Sequence, residues 1–211
     1  MFLSQGEDEA FDLIAKCVFI DNNIPSWMQS PRSPDQRGFI GFPSTSSEIK
    51  ALPSTEKAGR STDATIVVPD EWEYHPYAEA NFAALKPTVD SGGQFIGLTT
   101  ANKLISVTKS FPKNLFIRAK SGESNFFPIF LPYHLRPGRD KAWRELLKKD
   151  MPAYQIEQEY PVTENDALGV LKEYRVFNEQ ALDDMESHLH EPIDEQDDID
   201  THNGIIRVYK L

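Results

Sequence analysis

The sequence is short of cysteine, of long apolar runs and of glycine followed by lysine. One cysteine, Cys17, in 211 residues leaves no internal disulfide to form and suits a reducing compartment. Its setting, CVFI, reads as that of a small buried hydrophobe. The longest apolar stretches, such as FFPIFL at 126–131, are far too short to span a bilayer. The opening MFLSQGEDEAF has neither the basic head nor the apolar stretch of a secretory signal. The expectation is an intracellular, cytoplasmic protein that does not use a membrane. No Gly-Lys pair occurs in the chain, so a phosphate-binding loop of the form GxxxxGK[ST] is absent. No internal repeat is visible.

What is present suffices for a core. A hydrophobic fraction of 39% with 13 Phe, 7 Tyr and 3 Trp fits one domain of ordinary size, or one domain with a fragment of a second. The net charge of −11 is unevenly spread: residues 183–200 hold nine acids and no Lys or Arg, and without them 24 acids face 22 bases. Residues 103–149 hold eleven Lys and Arg against three acids. That segment could face a phosphate backbone or could be a solvated face with interspersed bases.

Along the chain, SQGEDEAFDLIAKCVF pairs a capping residue, Ser4, and early acids with Ala10, Leu13, Ile14 and Cys17 at helical spacing. MQSPRSPDQRG is a Pro/Ser-rich connector. GFIGFPSTSSEIKALPSTEKAGRS reads as a β-hairpin or meander, and 64–68 as a buried strand. A helix is expected from Pro76 to Lys86, closed by Pro87. A strand follows at 94–98, then helices at 102–110 and 115–120, with Gly122 as the stop. FFPIFL reads as a third buried strand, and RDKAWRELLKKD as an amphipathic helix. Helices are also expected at 153–159 and 164–174. The acidic stretch reads as an exposed linker, and NGIIRVYKL as a strand. Strands alternating with helices argue for an α/β fold with a mostly parallel sheet.

In such a sheet, ligands collect at the carboxyl ends of the strands. Asp70 and Glu71 follow the apolar run ATIVVP at one such end. A carboxylate there can hold magnesium, which bridges nucleotide phosphates. A second acid one residue on can orient a water and accept its proton. The alternative is a solvated loop after a core strand, and Pro69 removes a backbone donor there. GLTTAN, some thirty residues on, places Thr99, Thr100 and Asn102 at the end of the next strand. Those groups can touch a phosphate, or simply cap a helix.

In order and spacing, these segments resemble the large subunit of phage terminase, the motor that packages viral DNA. ATIVVPDEWEYHPYAEANFAALKPTVDSGGQFIGLTTAN is similar to that family's Walker B strand, helix, turn and coupling-motif strand. SSEIKALPSTEKAGRS, SNFFPIFLPYHLRPGRDKAW and EYPVTENDAL resemble the flanking segments, so the likeness runs from about Phe2 to Leu168. It implies a partial P-loop NTPase-like (ASCE) sheet using Mg2+ and ATP. Asp70 matches the magnesium-site acid and Glu71 the catalytic glutamate. Thr99, Thr100 and Asn102 fall on the coupling motif. His134, Arg136 and Arg139 match candidate phosphate or subunit contacts, with a plain surface role as the alternative. Trp72 and Tyr74 read as packing residues, and Arg60 receives no role.

The expected domains are 1–182, the later part of the ATPase domain; 183–203, the acidic linker; and 204–211, the first strand of a following nuclease domain. The phosphate loop and the nuclease domain are the departures from the family pattern. The partners implied are double-stranded DNA, other terminase subunits, the portal, and a separate chain carrying the Walker A half. Two functions compete: an ATPase half that works only when completed, and a catalytically inactive remnant or DNA- and subunit-binding module. A helicase-like fragment sharing the acid pair is a third reading.

Overall fold

Phe2 and Leu3, adjacent on the first strand, point to opposite faces of one sheet and begin the two halves of the core. The computed structural model describes residues 1–60, 62–170, 194–197 and 205–208, the last two spans as backbone. The chain divides into two units, Met1–Leu171 and Lys172–Leu211.

The first unit runs β1 (Phe2–Ser4), α1 (Glu7–Asn23), β2 (Asp35–Gln36), β3 (Phe39–Phe42), β4 (Ser47–Pro53), β5 (Ile66–Pro69), α2 (Ala78–Val89), β6 (Gln94–Phe95), α3 (Phe111–Lys120), α4 (Lys141–Leu147), α5 (Ala153–Glu159) and α6 (Glu164–Leu168). The strand order is β2-β3-β4-β1-β5-β6. Strands β4, β1, β5 and β6 are mutually parallel, and β2 and β3 form an antiparallel flap on β4. The expected α/β sheet, mostly parallel and flanked by helices, is present, as is the hairpin at 39–53.

Helix α1 covers one face, where Ala10 and Ile14 meet Ile40 and Ala51. Helix α2 covers the other, where Leu85 and Val89 meet Leu3 and Val67. Leu3, Ile14, Ile40 and Leu85 are each 2% exposed or less, and burying one such side chain contributes about 2 kcal/mol. Asn81, buried on α2, ties the sheet to its connections: it accepts from Ser54 Oγ at 2.8 Å and donates to the Thr55 carbonyl at 2.7 Å. Gly59 follows in that loop at φ +81°, and a Cβ there would fall 2.4 Å from Leu85, so both backbone and space require glycine.

Several boundaries differ from expectation. Ser4 does not cap α1: it is buried in β1, its carbonyl taken by the Ser54 N–H at 2.8 Å. Gly6 stands at the cap, and Glu7, Asp8 and Glu9 fill the first turn, where the helix dipole favours acids. Helix α2 runs through Pro87 to Val89, because a proline in the last turn keeps helical φ and Val89 packs into the core. Residues 102–110 hold only a short turn at Val107–Lys109. Helix α3 starts instead after Ser110, whose hydroxyl accepts the Lys113 N–H at 3.1 Å. Gly122 stops that helix as expected, at φ +80°.

FFPIFL is not a strand. Phe127, Ile129 and Leu131 are 85%, 64% and 72% exposed, while the alternate residues are half-buried. The sheet ends at β6, so this extended run has no described strand beside it, and Pro128 lacks a donor. The helix expected over 139–150 is shorter, Lys141–Leu147, capped by Asp140 and with no fully buried residue. Helix α5 matches its expected span. Helix α6 opens with a Thr163–Asp166 capping box and ends at Leu168; residues 171–174 lie outside the described residues.

In the second unit, β7 (Asp194–Asp197) pairs antiparallel with β8 (Ile205–Val208). The expected strand at 204–211 therefore finds its partner inside the stretch read as an acidic linker. The remainder of that stretch lies outside the described residues. Among the described residues, no helix is long and apolar enough to cross a membrane.

Candidate functional site

Strand β5 lies between β1 and β6 and ends at buried Pro69, so Asp70 emerges at the carboxyl edge of the parallel half of the sheet. Its N–H still bonds to the Leu3 carbonyl at 2.9 Å. Its carboxylate is partly exposed, and no described side chain or backbone N–H donates to it. The His75 ring lies beneath this turn, and its Nε2–H donates to the Asp70 carbonyl at 2.7 Å. That assigns the proton to Nε2 and leaves Nδ1 buried without a partner. Burial holds the His75 pKa below its ordinary value, with the Asp70 carbonyl opposing, so the ring is neutral.

Glu71 adopts the left-handed conformation, φ 51° and ψ 44°, rare for a residue with a Cβ and costing on the order of 1 kcal/mol. The following turn, Trp72–Tyr74, explains how it is held. Trp72 N–H bonds to Leu98 O at 3.0 Å, and Tyr74 N–H to Glu71 O at 2.9 Å. The Trp72 ring packs among Phe82, Phe95 and Phe111 at centroid distances of 5.2–5.8 Å. Trp72 is thus the packing residue it was read to be. Gly97 makes room for it, since a Cβ there would stand 2.5 Å from the indole.

Strand β6 continues in hydrogen bonding beyond its two assigned residues: Ile96 N–H bonds to Val67 O at 2.9 Å and Leu98 N–H to Pro69 O at 3.0 Å. This carries Thr99 and Thr100 to the same edge as the acids. Thr100 Oγ1 donates to Glu71 Oε2 at 2.9 Å, with its N–H at 3.4 Å from the same oxygen. Thr99 Oγ1 accepts the Glu73 N–H at 3.0 Å. Asn102 is not brought to the acids: its Oδ1 closes its own turn on the Leu104 N–H at 3.0 Å.

A buried polar group behind this edge was invisible in the sequence. The Glu73 carboxylate accepts from Ser110 Oγ, while its other oxygen has no hydrogen-bond partner and stands 3.9 Å from Lys113 Nζ. Lys113 Nζ donates to the carbonyls of Asn102 and Ile105 at 2.6 and 2.7 Å. Burial pushes the Glu73 pKa up, with Ser110 and Lys113 opposing, and pushes the Lys113 pKa down, with Glu73 opposing. Glu73 thus reads as part of an acidic loop in sequence yet is a buried anchor. Only Ser110, followed by Phe-Pro, carried a local signal, that of a helix cap.

The basic segment is thinner at the surface than its composition implies. Lys103 and Lys113 are buried, with Lys103 3.7 Å from Glu157. Lys120 is paired with Glu164, and Lys148 with Glu145 at 2.6 Å.

The site fits magnesium only in part. Among the described residues, no group of three or more His, Cys, Asp or Glu gathers in one place. Asp70 offers one unshared carboxylate, enough for an ion that keeps most of its shell as water and phosphate oxygens. The turn from β1 to α1, Ser4-Gln5-Gly6, lies beside it but brings no lysine. The arrangement offers one carboxylate that no described group donates to, Asp70, and one hydrogen-bonded carboxylate, Glu71.

No family model matches the chain, and no curated protein matches it. Among solved structures, it is similar to the large terminase ATPase domain of Thermus phage P74-26, at 14% identity and a TM-score of 0.48, over 75% of this chain and 73% of that one.

Proposed function

We propose that this chain carries the magnesium-holding and water-orienting acids and the coupling segment of a nucleotide-hydrolysing motor of the phage large terminase kind, and that hydrolysis also needs a phosphate-binding loop, which these 211 residues do not supply. Asp70 would hold Mg2+, which would supply positive charge against the phosphates of ATP. Glu71 orients the attacking water, Thr100 senses that acid's position, and Thr99 holds the turn that follows through the Glu73 N–H. The observation that supports this reading best is the Glu71–Thr100 hydrogen bond at 2.9 Å. It joins the end of the acid strand to the segment that resembles a coupling motif, so movement of either is transmitted to the other. Double-stranded DNA and other motor subunits are the partners this reading implies.

The test is calorimetric titration of Mg-ATP into the chain alone and Asp70→Ala. Magnesium-dependent binding that disappears in Asp70→Ala supports the reading. A magnesium-dependent component of binding that survives unchanged in Asp70→Ala would sink it. Glu71→Gln should retain binding, because the residue acts on water and not on the metal.

The second reading is an inactive remnant or binding module that touches DNA. What favours it is Glu71 already engaged by Thr100. It predicts salt-sensitive binding of duplex DNA that ignores Asp70 and Glu71.

A further inference from the structure

The segment after α3 builds a second candidate site, far along the chain from the acid pair. Residues Leu131, Tyr133, Arg136, Arg139, Glu159 and Tyr160 line a surface cavity of about 370 Å³, within the range of small-ligand sites, about 300–1,000 Å³. Two of its lining rings, Tyr133 and Tyr160, pack against Trp143 and Arg144 behind the wall. Tyr133 stacks on Trp143 at 6.2 Å and 24°, and Trp143 meets Tyr160 edge-on at 5.1 Å. The Arg139 guanidinium lies 5.0 Å from the Trp143 ring centre and 5.5 Å from that of Tyr160. Arg144 lies 5.7 Å over Tyr133 and donates from Nε to the Tyr160 carbonyl at 3.3 Å.

A guanidinium held through its flat face keeps its in-plane N–H groups free for an anion. Neither Arg136 nor Arg139 has an acidic partner within salt-bridge distance among the described residues. The cavity therefore combines the rings of Tyr133 and Tyr160, two guanidiniums without an acidic partner among the described residues, and one carboxylate, Glu159. Base rings stack on Tyr and Trp and take cation–π contact from Arg. Phosphate takes the forked N–H groups of Arg. A carboxylate can accept from the exocyclic amine of a base.

We propose that this cavity is a nucleotide-binding site, taking one base on the Tyr133–Tyr160 side and its phosphate on Arg136 and Arg139. The nucleotide is either free or one unit of a single strand. The site needs neither magnesium nor Asp70, so it stands or falls apart from the function proposed above.

Adenosine monophosphate, adenosine, inorganic phosphate and a short single-stranded oligonucleotide would be titrated into the full chain, without magnesium. Adenosine monophosphate should bind at least tenfold more tightly than adenosine or phosphate alone, because only it engages both halves of the site. Arg136→Ala and Arg139→Ala should each weaken it about tenfold. Arg139→Lys should fail to restore it, since an ammonium neither stacks nor forks. Arg136 is exposed, so its variant folds whatever Arg139 does for packing. An oligonucleotide that binds more tightly with the same sensitivity identifies a strand as the ligand. Equal affinity identifies a free nucleotide. Binding that survives in Arg136→Ala at full strength, that is lost in Asp70→Ala, or that never appears would overturn the proposal.

Discussion

At the scale of residues, the acids after β5 owe their properties to different neighbours. Glu71 is held by Thr100 and Glu73 by Ser110 and Lys113, while no described group donates to the Asp70 carboxylate. Ser110 both caps α3 and donates to a buried carboxylate, so Ser110→Ala should cost about 1–3 kcal/mol, more than an ordinary cap. Urea denaturation would measure it, and a change within about 0.5 kcal/mol would mean that the Glu73 contact is not formed in solution. His75 gives a pH test. Its folded pKa lies below the ordinary 6.5, so below pH 6.5 the unfolded chain takes up a proton that the folded chain does not. Stability is therefore lost as pH falls from that value towards the depressed one. His75→Gln keeps a donor for the Asp70 carbonyl and removes the titration. It should lose less stability than the native chain between about pH 7.5 and pH 5.5. The raised Glu73 pKa acts in the opposite direction, but it is common to both proteins and drops out of their difference. Equal losses would assign the pH dependence to other groups.

At the scale of elements, β6 is the last strand of the sheet, with no described strand on its outer side. Gln94, Ile96 and Leu98 give their N–H groups to β5 and its flanks, so by alternation the backbone groups of Phe95 and Gly97 face the open edge of the sheet. Ile96 and Leu98 are 42% and 47% exposed there. Unprotected edges of this kind invite pairing with other chains. Leu98→Lys should leave stability within about 0.5 kcal/mol and raise the concentration at which the protein self-associates. Light scattering reads that directly. Gly97 behaves differently. A methyl group there meets the Trp72 indole, so Gly97→Ala should cost about 1–3 kcal/mol and perturb the near-ultraviolet signal of the aromatic cluster. An unperturbed signal would mean that the strand end is looser than the packing implies.

At the scale of the whole molecule, the parallel half of the sheet carries both the core and the candidate site. Leu85 joins α2 to Leu3 and Val67 across one face. Leu85→Ala should therefore cost about 2–5 kcal/mol and loosen the edge that presents Asp70, because β5 is the strand beneath it. Ile129, although apolar, should tolerate serine within about 0.5 kcal/mol, since it is 64% exposed. A cost near that of Leu85→Ala would restore the buried strand that its sequence resembles.

The features legible in the sequence were those decided over a few neighbouring residues. The period of apolar residues in α1, the alternation and turns of the hairpin at 39–53, the stop at Gly122 and the placement of Asp70 and Glu71 just past an apolar run all follow from local chemistry. Spacing also brought Thr100 to the edge that carries Asp70 and Glu71, because neighbouring parallel strands run in the same direction. Only the tertiary structure decided which apolar run became a strand, which bases reached the surface and which acid was buried. FFPIFL has the composition of a core strand but lies beyond the sheet edge, Lys103 and Lys113 belong to a basic segment yet sit inside, and Glu73 turns inward two residues after Glu71 turns out. Burial depends on neighbours distant in the chain, and no local pattern encodes those.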